Sequence, residues 1–124
     1  MILIIGGAFQ GKTEYVKNHF GVKIEEIYDA YIPENTDGEH VCINHLHEYI
    51  KAQLKEGKDP EEEIMRLAKL PNTILICDEI GNGIVPVDSF ERRYRQRTGR
   101  ILIQAAKEAD EIIRVMCAIG QKIK

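Results

Sequence analysis

The sequence predicts an α/β fold with a mainly parallel β-sheet. Short runs of consecutive apolar residues, typical of strands buried on both faces, alternate with segments whose apolar residues recur at helical spacing. The first run, at residues 2–5, leads through two glycines into a helical pattern, which is the order of a strand–loop–helix unit. Hydrophobic residues make up 44% of the chain and charged residues 30%, a balance that supports a packed core.

The N-terminal part of the chain predicts two strands and two helices around an ambiguous segment. After the strand at 2–5, a helix from about Lys12 to His19 ends where Gly21 can adopt the left-handed conformation of a helix stop. Residues 24–32 are rich in β-formers but contain acids, so we expect an edge strand or a loop there. A short strand at 41–43 precedes a helix whose apolar face combines Leu46, Tyr49, Ile50 and Leu54.

The C-terminal part predicts two further helices and the rest of the sheet. Asp59 and Pro60 are suited to begin a helix that turns Ile64, Leu67 and Ala68 to the core. An apolar strand at 73–77 follows, and a long helix begins near Asp88. We expect a strand at 112–117 inside the sheet and a small edge strand at 119–124.

Length, charge and cysteine content exclude several classes of protein. The 124 residues correspond to a single domain, 1–124, and a net charge of -3 argues against a nucleic-acid partner. No apolar run approaches the ~20 residues that span a bilayer, so no membrane partner is expected. The three cysteines, Cys42, Cys77 and Cys117, are odd in number and lie in apolar segments, which favours small hydrophobic residues in a reducing compartment over a disulfide or metal framework. This predicts a cytoplasmic protein.

A glycine-rich segment follows the first strand and carries the Walker A pattern G-x-x-x-x-G-K-[ST]. It reads Gly6, Gly7, Ala8, Phe9, Gln10, Gly11, Lys12 and Thr13. Its glycines let backbone N–H groups point at an anion, and the following helix adds the positive end of its dipole. Lys12 is expected to end in solvent and reach the β- and γ-phosphates of ATP or GTP, with the Thr13 hydroxyl on Mg²⁺. The predicted fold is therefore a P-loop NTPase-type three-layer sandwich.

Two acids close the strand at 73–77. Asp78 stands where parallel sheets place ligands, so it is expected to hold Mg²⁺ directly or through a water molecule. Glu79 is expected to orient an attacking group or the metal shell. The alternative is a solvated pair of acids at the end of a strand.

The segment from Asp78 to Pro86 resembles the N-E-V-G-x-G-I-V-P signature of the adenosylcobinamide kinase/adenosylcobinamide-phosphate guanylyltransferase family. The similarity continues through 92–95, Gly99-Arg100, 109–111 and 120–124. The resemblance implies phosphoryl transfer to a corrinoid hydroxyl in cobalamin biosynthesis, and a homo-oligomer, a trimer in that family.

Departures from the family pattern concern a histidine and two acids. The family's guanylylated histidine belongs to a segment that is shortened here to about residues 21–39, which contain no histidine. His40, His45 and His47 follow it and are interpreted as ordinary surface or helix-start residues. The family's D-C-L-T reads Asn44 to His47, whereas its asparagine before the glutamate is Asp78. Either Asp78 replaces the lost magnesium ligand, or the protein no longer catalyses.

An arginine stripe lies on the long helix. Arg93, Arg97 and Arg100 fall on one helical face, where guanidinium groups could bind phosphate, form ion pairs or face solvent.

Two hypotheses of function follow. The first is an NTP-dependent kinase that acts on a corrinoid hydroxyl, with Lys12 and Glu79 as catalytic residues, Thr13 and Asp78 on Mg²⁺, and the guanylyl step lost. The second is a non-catalytic or regulatory nucleotide-binding subunit. A nucleic-acid-dependent NTPase is disfavoured by the acidic balance.

Overall fold

The structure, a computed structural model, describes residues 1–34, 41–80 and 86–124. Its strands are β1 (Ile2–Gly6), β2 (Ile27–Asp29), β3 (Val41–Asn44), β4 (Thr73–Asp78), β5 (Glu111–Met116) and β6 (Ile119–Lys122). Its helices are α1 (Lys12–Phe20), α2 (Leu46–Lys55), α3 (Glu61–Ala68) and α4 (Ser89–Glu108).

The strands of the described residues form one sheet in the order β2-β3-β4-β1-β5-β6. All neighbouring pairs are parallel except β5 and β6, which pair antiparallel. The predicted α/β class with a mainly parallel sheet is confirmed. β5 lies inside the sheet between β1 and β6, and β6 is the expected small edge strand.

Helices cover both faces of the sheet and make three layers. On one face Val16 of α1 packs with Ile4 and Ile76. On the other face α2, α3 and α4 pack over Leu3, Ile43 and Leu75. Their largest fully buried side chains are Leu46, Ile50, Ile64, Leu67 and Ile101.

Local signals in the sequence account for the ends of the helices. The N–H of Gly21, at a φ of 65°, donates to the carbonyl of Lys17 and ends α1. The Asp88 carboxylate accepts from the N–H groups of Phe90 and Glu91 and begins α4. The Asp59 carboxylate accepts from the N–H of Glu61, the first residue of α3, but the N-cap position is Pro60, one residue later than the sequence suggests.

The ambiguous segment at 24–32 contains a 3₁₀ turn and then β2, which pairs along the outer side of β3. β2 is thus the edge strand that the sequence left open. In the register of this pair Asp29 lies beside Asn44, the last residue of β3. An acid of the edge strand is thereby carried to the same end of the sheet as the loop after β1.

Arg97, in the arginine stripe of α4, makes ion pairs within the chain. Arg97 contacts Asp59 at 2.7 Å and Glu61 at 2.6 Å, which joins α4 to the start of α3. Arg93 lies over the ring of Phe90. Among the three interpretations of this stripe, the structure supports ion pairing for Arg97. Within the described ranges no helix is long and apolar enough to cross a bilayer.

Candidate functional site

The glycine-rich loop joins β1 to α1 at the carboxyl end of the sheet. Gly11, at a φ of 83°, begins α1, and its carbonyl accepts from the N–H of Tyr15. A β-carbon on Gly6 would lie 2.5 Å from the carbonyl oxygen of Val115, so this position accepts no side chain without moving β5. The loop between them presents its backbone to the open end of the sheet, as a phosphate-binding loop requires.

Gln10 fastens the loop to the turn between β5 and β6. Its side-chain oxygen accepts from the N–H of Cys117 at 2.7 Å, and its carbonyl accepts from the N–H of Ala118, also at 2.7 Å. Both turn residues have a positive φ, as the tight turns of antiparallel hairpins do. The loop is therefore held by a strand connection more than 100 residues away in the chain, which the local motif does not reveal.

Lys12 is buried in the loop rather than extended into solvent, and its side chain is only 8% exposed. Its ammonium donates to the carbonyl of Gly7 at 2.6 Å and contacts a carboxylate oxygen of Asp78 at 2.7 Å. The expectation that Lys12 ends in solvent is wrong, because the acid at the end of β4 and the loop carbonyls together attract the ammonium inward.

A cavity of about 510 Å³ opens above the loop. One wall is residues 8–14 of the loop and α1, and the opposite wall comes from the end of β3 and the start of α2. The structure thus brings together Ala8, Phe9, Gln10, Gly11, Lys12, Thr13 and Asp78. Gly6 and Gly7 are not among the residues that line the cavity, but their carbonyls accept from the Lys12 ammonium.

The oxygens in this cavity suit a magnesium ion. The Thr13 hydroxyl and the Asp78 carboxylate both belong to the lining, and hard oxygen donors of this kind are those that Mg²⁺ prefers. In the described part of the chain no three His, Cys, Asp or Glu side chains form a metal cluster.

His47 is buried against Asp78, contrary to its interpretation as an ordinary helix-start residue. Its Nδ1 accepts from the backbone N–H of Asp78 at 3.1 Å, and its Nε2 lies 3.4 Å from the Asp78 carboxylate. Because a backbone N–H can only donate, Nδ1 carries the lone pair and the proton of the neutral ring is on Nε2. Burial is the main cause that lowers the pKa of His47 below its ordinary value, opposed by the nearby Asp78 carboxylate.

His45 also lines the cavity and is the second residue that sequence reasoning missed. Its Nδ1 bonds the carboxylate of Asp29, to which the side-chain amide of Asn44 donates at 3.4 Å. Its ring lies edge to face with that of His47, with 5.6 Å between centroids. The available signal was positional, since polar residues at the end of β3 must lie beside those at the end of β4 in a parallel sheet.

Glu79 does not join the other predicted site residues. Its backbone N–H donates to the carbonyl of Gly6, but its carboxylate turns to Arg114, with contacts of 3.0 and 3.1 Å. This ion pair borders a second, largely apolar cavity between the sheet and α4. Consecutive residues at the end of a strand point to opposite faces, which separates Glu79 from Asp78.

Compared with known protein families, residues 34–123 match the family described as cobinamide kinase / cobinamide phosphate guanyltransferase. The chain belongs to this family. The glycine-rich loop at 6–13 precedes the matched range, so its interpretation depends on the Walker A pattern and on the geometry above.

Two curated relatives support membership of the cobinamide kinase family. The bifunctional adenosylcobalamin biosynthesis protein CobU of Salmonella typhimurium is 36% identical over 76 residues, which are 59% of this chain and 42% of that protein. CobU of Escherichia coli is 41% identical over 51 residues, which are 41% of this chain and 28% of that protein. The chain thus matches less than half the length of either relative.

Several family-like residues can be placed in the structure and others cannot. Asp78 stands in the loop cavity, and Gly120 of β6 packs against the ring of Tyr15. Residues 81–85, which carry the centre of the glycine-rich signature, lie outside the described residues, as does His40.

Proposed function

We propose that the protein is a kinase that transfers the γ-phosphoryl group of a magnesium-bound ATP or GTP to a hydroxyl of a corrinoid such as cobinamide. Membership of the cobinamide kinase family suggests the acceptor. The observation that carries the proposal is the ion pair between Lys12 of the Walker A loop, which follows β1, and Asp78 at the carboxyl end of the neighbouring strand β4. Lysine and acid of this arrangement serve phosphate and Mg²⁺ in phosphate-loop enzymes.

Different residues of the cavity bind the phosphates and the magnesium ion during phosphoryl transfer. The loop N–H groups bind the β- and γ-phosphates, and Lys12 exchanges its loop carbonyls for phosphate oxygens. Asp78 and Thr13 would hold Mg²⁺, which when bound neutralises charge on the phosphates. The protein contributes mainly positioning and electrostatic stabilisation, because phosphoryl transfer requires little covalent chemistry from protein side chains.

We further propose that the guanylyl step is lost. Residues 21–39, which stand in place of the family segment with the guanylylated histidine, contain no histidine. His47 is a poor substitute nucleophile, since its Nδ1 lone pair is bonded to Asp78 and its Nε2 carries the proton. A phosphoramidate on His47 would need a free lone pair on one of its ring nitrogens.

The second candidate function is a non-catalytic nucleotide-binding subunit. The observation in its favour is the position of Glu79, which was expected to serve the acceptor hydroxyl but is bound to Arg114 outside the loop cavity. Under this alternative the loop binds nucleotide, but no acceptor is phosphorylated.

Formation of nucleoside diphosphate, followed with and without cobinamide, separates the two functions. The kinase proposal predicts diphosphate release that requires both cobinamide and Mg²⁺ and that is lost in Lys12→Met. Nucleotide binding without acceptor-dependent turnover would support the regulatory subunit instead. Absence of nucleotide binding would exclude both functions.

A further inference from the structure

A histidine and a carboxylate form a pair at the wall of the loop cavity that faces the phosphate loop. His45 ends the turn after β3, and Asp29 is the last residue of the neighbouring strand β2. Nδ1 of His45 bonds the Asp29 carboxylate and also lies 3.3 Å from the Asn44 amide nitrogen, which donates to the same carboxylate oxygen at 3.4 Å. The imidazole is therefore held at one edge by two adjacent strands.

The bond to Asp29 fixes which nitrogen of His45 is available. Nδ1 has two neighbours, the Asp29 carboxylate and the Asn44 amide nitrogen at 3.3 Å. Because the carboxylate is the closer of the two and can only accept, the proton of the neutral ring lies on Nδ1 and the lone pair lies on Nε2. The His45 side chain remains 45% exposed, at the lining of the cavity. This is the arrangement in which a carboxylate orients a histidine to accept a proton at its far nitrogen.

The backbone conformation of His45 is unfavourable, and no capping hydrogen bond from its side chain compensates for it. Its φ of 53° and ψ of 49° are left-handed, a conformation that glycine and asparagine adopt more readily. It precedes α2 at the N-cap, yet its side chain makes no capping hydrogen bond. Such strain concentrates at functional sites, where the side chain is needed in a particular direction.

The other carboxylates near the cavity are closely paired, make only long and exposed contacts, or are turned away. Asp78 is paired with Lys12, and Glu14 contacts Lys17 along α1. Glu48 lies 3.6 Å from Nε2 of His47. Glu79, which the sequence suggested for this task, borders the second cavity.

We propose that His45 is the general base of the kinase, oriented by Asp29, an inference that rests on the function proposed above. Nε2 takes the proton of the acceptor hydroxyl as its oxygen forms a bond to the γ-phosphorus. The bond from that phosphorus to the β–γ bridging oxygen breaks, and the electron pair leaves with the nucleoside diphosphate. Asp29 stabilises the imidazolium, which then gives its proton to solvent.

The test compares His45→Asn with the parent in the cobinamide assay. Asparagine adopts the left-handed conformation more readily than most residues, so this variant should keep the backbone of the turn while it removes Nε2. We expect kcat to fall about 100-fold or more while the dissociation constant for MgATP or MgGTP stays within about twofold. His45→Ala should regain part of its rate when free imidazole is added, which a merely structural role would not allow. His19→Gln, a change at a histidine of α1 outside the cavity lining, is the matched control and should leave kcat unchanged.

Modification by diethyl pyrocarbonate tests the availability of Nε2 without turnover. His45 should react faster than the buried His47, magnesium nucleotide should protect it, and Asp29→Asn should change its rate.

If the parent is active and His45→Asn keeps its kcat within about threefold, His45 is not the base, although the kinase proposal stands. If the parent binds nucleotide but phosphorylates no acceptor, both proposals fall. A guanylyl label on His45 from GTP would show a nucleophile instead and overturn this role.

Discussion

Replacement of Lys12 by methionine should weaken both nucleotide binding and the fold, because the same ammonium serves the loop and Asp78. The side chains of Lys12 and Asp78 are 8% and 18% exposed, and their charged atoms lie 2.7 Å apart. Removal of one partner from a fully buried ion pair costs about 3–5 kcal/mol. Solvent reaches part of Asp78 and Nε2 of His47 lies 3.4 Å away, so we expect a smaller loss, about 2 kcal/mol.

Thermal unfolding of four proteins measures this coupling: the parent, Lys12→Met, Asp78→Asn and the double variant. At about 4 °C per kcal/mol for a chain of this size, Lys12→Met should lower Tm by roughly 8 °C. The double-variant cycle should give a coupling free energy of about 1–2 kcal/mol. Lys17→Met is the matched control on the same helix, because Lys17 makes only a 3.6 Å, solvent-accessible contact with Glu14. This variant should lower the unfolding free energy by less than about 0.5 kcal/mol. Additive effects of Lys12→Met and Asp78→Asn would refute the pairing.

Three further predictions concern the loop, His47 and the guanylyl step. Gly6→Ala should lose about 1–3 kcal/mol of unfolding free energy, because the new β-carbon would lie 2.5 Å from the Val115 carbonyl oxygen. Gly99→Ala, in α4 where a β-carbon has open space, should gain about 0.5–1 kcal/mol. Urea titration measures both changes. Burial lowers the pKa of His47 in the fold, so the folded chain binds fewer protons than the unfolded chain. The unfolding free energy should therefore fall as pH drops below about 6.5. A His47→Gln variant whose unfolding free energy has the same slope against pH as the parent, between about pH 7.5 and 5.5, would contradict this. Incubation with α-labelled GTP and Mg²⁺ should leave no acid-labile label on the protein, and a stoichiometric label lost in His45→Ala or His47→Ala would show that the guanylyl step persists.

The sequence predicts the architecture well because its signals are local. Continuous apolar runs mark β1, β4 and β5, and Gly21 and Asp88 mark helix ends through their own hydrogen bonds. The segment at 24–32 stayed ambiguous because its pairing with β3 depends on a partner distant in sequence. Alternation of apolar and acidic residues could not decide between an edge strand and a loop.

The candidate site is only partly predictable, since side-chain direction depends on tertiary contacts. Spacing alone put Asp78 and Glu79 together, but the strand turns one toward Lys12 and the other toward Arg114. His45 and His47 were set aside as ordinary residues because their partners, Asp29 and Asp78, lie on neighbouring strands. The order of strands, which brings β2 and β4 to either side of β3, is what assembles them.

The central claim is transfer of a phosphoryl group by the loop of residues 6–13, and the corrinoid product tests it most directly. Cobinamide is incubated with the protein, Mg²⁺ and ATP or GTP, and the corrinoid is then analysed by mass spectrometry. The account predicts a corrinoid that has gained one phosphoryl group with the parent protein and an unchanged corrinoid with Lys12→Met. An unchanged corrinoid with a parent protein that binds the nucleotide would contradict it.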